Sequence, residues 1–551
     1  SGLGGGAIAL ADLEQQVPGA RLALGPLVKR GLVETSERAL ASVVQADGLA
    51  PEPNQEQAAA LRAVAPAIAE PRAETFLLWG VTASGKTEVY IQLAARCLVA
   101  GRQVLVMVPE IALADQVVRS FRARFGETVA VAHSGQNVAE RWASWRAALG
   151  GRARIMIGPR SVIFAPLHDL GLIVVDEEHD PAYKSEEGIR YNARDLAVAL
   201  GGYSRCPVVL GSATPSAESY FNARRGRYRM LHLARRVQDR PFAEVEVIDL
   251  REEFRKDRAR DAARTGSADD RASDKPPAVP LSERLVAALK ENLAGGGQSV
   301  VFLNRRGYHN FLQCQLCGNV IACPNCSVAM TFHLRDRSLR CHYCGHRTPA
   351  PDRCPGCGGF GLVGQGFGTE RLLAALSELL AGARIERMDS DTSGRRGARI
   401  AIVEALARGE IDILVGTQMI TKGFDLPGVT LVGVVLADLA LNLPDFRSAE
   451  RTFQLLTQVA GRAGRGERRG RVLIQTYAPH HYSIRAARDQ DYARFMRREL
   501  ELRRELMYPP FARMALVRIE GEDSRAVGDL AAKAASVLAR EAGPGTLRVL
   551  G

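Results

Sequence analysis

No apolar run in this 551-residue chain approaches the roughly 18 uninterrupted residues that a membrane-spanning helix needs, so no transmembrane segment is expected. The best candidate, residues 429–443, carries Asp438 and Asn442 and reads as a buried strand leading into a loop. A basic n-region, an apolar h-region and a cleavage site are also missing from the start, so the expected location is the cytoplasm with no membrane partner. Ser1 stands where a methionine would open a gene product, as in a fragment. Acidic residues are outnumbered, 61 against 73 basic ones, and lysine is scarce beside arginine. The resulting net charge of +12 suits a polyanionic partner, because each neutralised phosphate releases counterions. Charge of this kind gains meaning only beside motifs.

What is present is a globular composition, 46% hydrophobic and 24% charged, in a chain long enough for about three to five domains. Eight of the ten cysteines form four C-x-x-C pairs: Cys314/Cys317, Cys323/Cys326, Cys341/Cys344 and Cys354/Cys357. Each pair points two thiolates at one ion, and two pairs close a structural zinc site, so four pairs imply two zinc ions. A long chain without a leader argues against disulfides. Nested, sequential and interleaved pairings all remain open from spacing. His342 and His346 read as bystanders, because eight thiolates already fill two sites. Cys97 and Cys206 read as small core residues.

Residues 75–90 read TFLLWGVTASGKTEVY. An apolar strand runs into Gly80-x-x-x-x-Gly85-Lys86-Thr87 and then a helix, which is a P-loop in its required context. Backbone amides and the helix N-terminus should wrap the phosphates of ATP, with Lys86 on the β- and γ-phosphates and Thr87 on magnesium. The run LGLIVV (residues 170–175) predicts a buried parallel strand. It delivers Asp176-Glu177-Glu178-His179, with Asp176 assigned to the metal and Glu177 to the attacking water. Another short strand at residues 208–210 ends in Gly211-Ser212-Ala213-Thr214-Pro215, whose hydroxyls can link the acidic site to whatever the motor grips.

A second α/β unit begins near Pro280, bracketed by strands at residues 299–304 and 411–416. Gly416-Thr417-Gln418-Met419 and Lys422-Gly423 follow the latter, and then Gln458-Val459-Ala460-Gly461-Arg462-Ala463-Gly464-Arg465. Arg462 and Arg465, three apart on a helix face, would aim at the γ-phosphate held by the first unit.

The set GVTASGKTEVY, DEEHD, GSATPS, VFLNRRGY, GTQMITKGFD and QVAGRAGR resembles superfamily 2 helicases. The eight cysteines placed directly after VFLNRRGY narrow the resemblance, over roughly residues 20–551, to the primosomal protein N′ (PriA) family of bacterial replication-restart helicases. That resemblance implies two RecA-like lobes and ATP-dependent 3′-to-5′ movement on single-stranded and branched DNA. It also implies recognition of stalled forks and initiation of primosome assembly, with single-stranded DNA-binding protein and other primosome proteins as partners. The family nests its zinc pairs, implying one ion on Cys314, Cys317, Cys354 and Cys357 and another on Cys323, Cys326, Cys341 and Cys344. The family's aromatic-rich loop matches Tyr183, Lys184, Arg190 and Tyr191, suited to base stacking and phosphate contact. Arg160 in Gly158-Pro159-Arg160-Ser161 is a further phosphate contact, Gln57 an adenine reader, and Gln458 part of the nucleotide site. Pro109-Glu110-Ile111-Ala112-Leu113 and His133-Ser134 match the family's other DNA-side motifs. The family's N-terminal domain for a nascent 3′ end is not expected among these residues, and Phe424 stands where the family usually has a polar residue.

The expected fold is therefore α/β: two RecA-like lobes, an inserted double zinc module, a partial N-terminal winged helix and a partial C-terminal α+β domain. Residues 1–50 would be the winged-helix remnant, with 20–35 its recognisable part, and 51–236 the ATP-binding lobe. Residues 237–280 would be a flexible linker, because 251–279 alternate charge with few apolar side chains. The second lobe would take 281–311 and 359–480, the zinc insertion 312–358 and a truncated C-terminal domain 481–551. Two other readings stand beside the helicase: a translocase that does not unwind, and a DNA-binding assembly platform with a dispensable ATPase. The intact Lys86, Asp176, Glu177 and Arg465 speak against the platform.

Overall fold

The computed structural model describes residues 25–28, 51–109, 111–237, 242–265, 279–304, 311–365, 368–389, 398–417, 426, 428–464 and 469–541. Most of residues 20–35 thus lies outside the described residues, as do 305–310, 418–425, 542–551, Glu110 and Arg465.

The first lobe starts with a capped helix, α1 (Gln55–Ala69). The Asn54 side chain accepts the Gln57 amide, and the Gln57 side chain accepts the Asn54 amide. Seven strands follow: β1 (Thr75–Gly80), β2 (Gln103–Met107), β3 (Val129–Val131), β4 (Ile155–Gly158), β5 (Leu170–Val175), β6 (Val208–Ser212) and β7 (Arg229–Leu233). They form one parallel sheet in the order β3-β4-β2-β5-β6-β1-β7. Every residue of β2, β4, β5 and β6 is buried, as unbroken apolar runs require when helices cover both faces. One face carries α1, α2 (Lys86–Val99) and α3 (Ile111–Phe125), whose Leu61, Tyr90, Leu93 and Phe121 enter the core. The other carries α4 (Val138–Leu149) and α5 (Ala193–Ser204), which bury Ala148, Ala193 and Ala197, with Leu196, Val198 and Leu200 of α5 packed against the layer. Cys97 and Cys206 are buried in these layers. A further helix, α6 (Ala217–Arg224), turns toward the second lobe.

The second lobe is a six-stranded parallel sheet. Its strands are β8 (Glu244–Asp249), β9 (Gln298–Phe302), β15 (Ile385–Met388), β16 (Ile413–Gly416), β17 (Val429–Val434) and β18 (Arg471–Thr476), in the order β15-β16-β9-β17-β18-β8. The flexible linker expected over 237–280 is corrected here. β8 is an edge strand of this sheet, and α7 (Leu250–Thr265) follows it directly. Alternating charge at helical spacing builds an ion-paired helix rather than a loose segment. Arg251 pairs with Asp249 at 2.6 Å and Lys256 with Glu253 at 3.1 Å, while Arg260 reaches Glu283 on α8 (Glu283–Ala294) at 2.5 Å. Leu250 is buried against Leu436 and Tyr477. The remaining linker residues 266–278 lie outside the described residues.

α8 and α9 (Thr369–Leu379) cover one face of the second sheet. The other is covered by α10 (Ala398–Ala407), α12 (Ser448–Ala460), α13 (Tyr482–Asp489) and α14 (Tyr492–Glu505), while a short α11 (Asp438–Leu441) stands where a loop was expected. Ile484, Tyr492, Phe495 and Met496 share this core with Phe453 and Leu456, so the boundary expected at 480 falls inside one packed body. Beyond α14 the described residues hold a helix, α15 (Ser524–Glu541), and no strand, so no β part of an α+β domain is found among them. Between the two halves of the lobe, β10 (Phe311–Cys314) pairs antiparallel with β14 (Leu362–Gln365). They close a module whose inner sheet is β11 (Thr331–His333), β12 (Ser338–Arg340) and β13 (Arg347–Pro349). No helix among the described residues is long and apolar enough to cross a membrane.

The lobes meet at a buried cluster of charges. Arg503 on α14 pairs with Glu450 on α12 at 2.5 Å and with Glu499 at 2.7 Å, and it is 2% exposed. Glu450 Oε1 in turn accepts the Ala217 amide of α6 at 2.8 Å, and Arg447 holds Glu218 at 3.0 Å. Burial opposes ionisation of Glu218, but Arg447, Arg194 and Arg503 outweigh it and hold that carboxyl below its usual range. Removing Arg503 leaves Glu450 and Glu499 without their cation. Arg503→Ala is therefore expected to destabilise the protein by about 3–5 kcal/mol. Calorimetry would read this as a clear fall in melting temperature, and an unchanged melting temperature would contradict the cluster's role.

Candidate active site and metal centres

Strand order brings the carboxyl ends of β1, β5 and β6 side by side, the usual place for a ligand in an open α/β sheet. β1 runs into the loop of residues 80–87, and α2 begins at Lys86. Ala83 (φ 64°) and Gly85 (φ 80°) take left-handed backbone. A Cβ on Gly85 would lie 2.3 Å from the Gln57 amide nitrogen, so only glycine fits there. Lys86 Nζ donates to the Gly80 carbonyl at 2.9 Å. Ser84 Oγ is buried without a hydrogen-bond partner, an orphan that a phosphate oxygen would satisfy, so the cradle fits a nucleotide. Gln57, expected to read adenine, lies against this loop. Its amide oxygen accepts from Asn54 and its nitrogen donates to the Ser84 carbonyl at 2.9 Å.

At the end of β5, Asp176 and Glu177 turn sharply. Glu177 has φ 47°, left-handed backbone in a non-glycine residue, the kind of strain that collects at functional sites. Tyr90 Oη donates to Asp176 Oδ1 at 3.0 Å. Burial pushes the Asp176 carboxyl up to about 6, the neighbouring Glu177 adds to it, and Lys86 opposes. A divalent cation beside it would hold it ionised. Glu177 Oε2 is buried and accepts no hydrogen bond, and His179 Nδ1 lies 3.5 Å from it.

Gly211 has a definite purpose: a Cβ there would sit 1.6 Å from Tyr90 Oη. Tyr90 lies four residues beyond Lys86, one helical turn, so it faces the same side of α2. That spacing could have exposed it in the sequence.

His179 uses both ring nitrogens. Nδ1 is 2.7 Å from Ser212 Oγ, and Nε2 is 3.0 Å from Gln458 Nε2 on α12 of the other lobe. Ser212 Oγ also accepts the Thr214 amide at 2.9 Å. Beside this, a Cβ on Gly461 would lie 2.9 Å from Thr82 of the P-loop. The helix-face reading of Arg462 is corrected: α12 ends at Ala460, so Arg462 sits in the turn beyond its cap. Gly461 and Gly464, the latter at φ 70°, break the helix there. Arg465 lies outside the described residues.

At the loop expected to meet DNA, residues 184–192 form a hairpin. Lys184 bridges Asn192, and the Ser185 amide donates to the Tyr191 carbonyl at 2.7 Å. Lys184 and Arg190 are exposed and Tyr191 is half-buried. Arg160 donates to the Lys184 carbonyl at 2.6 Å and lies 5.9 Å from the Tyr191 ring centre. Phe164, 56% exposed, packs edge-on against Tyr191 at 5.3 Å. No periodic pattern of residues pointed to it. Tyr183 is a correction: it is 1% exposed, and its hydroxyl donates to the Asp176 carbonyl at 2.6 Å. A ring enclosed on both faces cannot stack a base, so Tyr183 is a strut under the acidic turn.

The thiols gather into two quartets, Cys314/Cys317/Cys354/Cys357 and Cys323/Cys326/Cys341/Cys344, each with its sulfurs within 4.8 Å of one another. Sulfur separations of 3.5–3.7 Å are close to the roughly 3.8 Å edge of a tetrahedron built on zinc–sulfur bonds of about 2.3 Å. They are far longer than a disulfide of about 2.05 Å. The nested pairing holds, no histidine enters either quartet, and the thiols fit two structural zinc ions.

Three family models match the chain. The DEAD/DEAH box helicase model covers residues 54–222, the PriA DNA helicase Cys-rich region domain residues 323–349, and the helicase conserved C-terminal domain residues 368–467. Among curated proteins, replication restart protein PriA of Bacillus subtilis is 45% identical over 90% of this chain and 59% of its own length. The Synechocystis protein of that name is 42% identical over 99% of this chain and 65% of itself. That of Treponema pallidum is 41% identical over 85% of this chain and 67% of itself. The chain thus spans about six-tenths of the length of the first two relatives.

Two measurements check the site. Metal analysis should return two zinc ions per chain, falling to one in Cys323→Ser/Cys341→Ser with the other quartet still filled; loss of both ions would show that the quartets are interdependent. Tyr90→Phe removes a hydrogen bond to a buried carboxylate, and about a tenfold loss of magnesium-dependent ATP turnover is expected. Wild-type turnover would show that Asp176 does not depend on that hydroxyl.

Proposed function

The chain belongs to the PriA family of replication restart proteins, and from that premise we propose that it is an ATP-driven DNA motor of the helicase type. The reading extends to 3′-to-5′ movement on stalled or branched forks and to the start of primosome assembly. Its protein partners would be single-stranded DNA-binding protein and other primosome components. Residues 20–35 would belong to a winged helix and the C-terminal part to an α+β domain.

One observation carries the motor: the contact at His179, where Ser212 of the first lobe and Gln458 of the second hold opposite nitrogens of one ring. An acidic turn wired to the facing lobe is what coupling hydrolysis to lobe movement requires. Lys86 would hold the β- and γ-phosphates of ATP. Asp176 and Thr87 would position magnesium, which supplies charge neutralisation on the phosphates. Glu177 would orient the attacking water through its carboxylate, beside the His179 ring. Arg462, with Arg465, would reach the γ-phosphate from the second lobe, so that lobe closure completes the site. On the other side, Arg160, Lys184, Arg190 and Tyr191 would grip single-stranded DNA by phosphate contact and stacking. The hairpin joins the acidic turn through Tyr183, whose hydroxyl donates to the Asp176 carbonyl.

The test is ATP hydrolysis with and without a forked DNA, for the chain and for Lys86→Ala, followed by strand displacement on the same fork. Forked DNA should stimulate turnover several-fold. Lys86→Ala should abolish both turnover and unwinding while fork binding persists. Fork binding with no stimulation in the unsubstituted chain would favour an assembly platform, and stimulation without displacement a translocase.

A further inference from the structure

Helix α4 is inside out. Its inward positions are Ser144, Ala147 and Ala148, and Ser144 Oγ donates to the Val131 carbonyl at 2.8 Å. Its large apolar side chains point away from the sheet: Val138 is 73% exposed, Trp142 60%, Trp145 40% and Leu149 49%. Steps of four, three and four residues place them on one helical stripe. Two of the chain's three tryptophans stand on it. A helix folded for packing alone would turn such residues inward, so an exposed stripe marks an interaction surface.

Three observations identify what it takes. Ala148 shares its apolar layer with Val162, Ile163 and Tyr183, and Tyr191 packs against the same layer. α4 therefore stands on the sheet face that carries the 184–192 hairpin and Phe164. The chain entering α4 also runs beside the Arg160 segment, because a Cβ on Gly158 would lie 2.3 Å from the Ala132 carbonyl. Charge agrees: Arg141, Arg146 and Arg152 are exposed around the stripe, while Glu140 is engaged in the helix cap, its carboxylate accepting the Asn137 amide at 2.9 Å.

We propose that Trp142 and Trp145 form a second base-stacking platform that extends the surface of Arg160, Phe164 and Tyr191 along a single DNA strand. Unpaired bases offer π-faces to exposed indoles whatever their sequence, and the flanking arginines track the phosphates. The inference rests on the DNA-motor reading and adds a site to it.

The test uses the full chain and a fluorescein-labelled oligo(dT) of about 20 nucleotides, followed by anisotropy. Trp142→Ala with Trp145→Ala should weaken binding about tenfold, and the corresponding pair of phenylalanine substitutions should retain most of the affinity. Unlabelled oligonucleotide should quench tryptophan emission in the unsubstituted chain, and the double alanine variant should lose most of that quench. Both substitutions are on the surface, so an unchanged melting temperature is expected. Oligonucleotide affinity that ignores both tryptophans overturns this inference and leaves the motor standing, whereas a chain that binds no DNA sinks both. Unchanged DNA affinity together with loss of a dimer in the double variant would assign the stripe to a second copy of the chain, and the inference would fall.

Discussion

The seam between the lobes depends on one carboxylate. Glu450 is 3% exposed and is held from both sides, by Arg503 through Oε2 and by the Ala217 amide of the opposite lobe through Oε1. Burying a charge is costly unless it is paired and hydrogen-bonded; Arg503 supplies the pairing from within the second lobe, and the Ala217 amide adds a hydrogen bond across the seam. Parting them would strip Glu450 of one donor and admit water to the cluster. Gln454, one turn along the same helix, donates to the Thr214 carbonyl at 3.3 Å, and Tyr492 donates to Pro215 at 2.9 Å. The seam thus grips residues 214–217, the segment that leaves the Ser212 end of β6. The second lobe is thereby hydrogen-bonded to the segment following the strand next to the acidic turn.

That turn is supported from beneath by two tyrosines. Tyr90 comes from the P-loop helix and meets the Asp176 side chain, whereas Tyr183 comes from the hairpin and meets its backbone carbonyl. Neither can move without moving the carboxylate, since both rings are enclosed. Glycine at 211 is what makes the first contact possible, because any side chain there would occupy the position of the tyrosine oxygen. Tyr90 thus reaches the Asp176 carboxyl from a motif remote in sequence, with Gly211 making room for it and Tyr183 holding the backbone of the same residue.

Much of this was legible in the residues. The P-loop, the buried strand before Asp176 and the four C-x-x-C pairs are local patterns, set by backbone geometry over a few residues, and each stands where its spacing predicted. What sequence could not supply was the partner of each group. Tyr183 sits among basic residues in a loop and looks like a stacking residue; only the third dimension shows its ring enclosed. Residues 251–265 lack an apolar stripe, so hydrophobic periodicity missed a helix that charge pairs and a neighbouring module hold. Arg462 was read as helical from its three-residue spacing to Arg465, whereas the helix ends at Ala460 and Gly461 follows. Glu450 and Arg503 belong to no motif, and nothing before folding links positions so far apart.

The zinc module is joined to that seam rather than hung beside it. Tyr508 donates to the carbonyl of Cys326, a residue of the inner quartet, at 3.0 Å, and its ring stacks on Phe446 at 4.8 Å. The Phe446 amide donates to Tyr343 Oη, which lies between Cys341 and Cys344, at 3.2 Å. Next in the chain, Arg447 holds Glu218 of the first lobe, and the Arg503 guanidinium lies 5.2 Å from the Phe446 ring centre. A thiolate quartet closed on zinc is rigid because four bonds fix two C-x-x-C turns to one ion. Through Tyr508 and Phe446 that rigidity reaches the residues flanking Glu450. Loss of the inner ion would free the Cys326 carbonyl and the Tyr343 ring together, so the module's metal site and the lobe contact share one set of side chains.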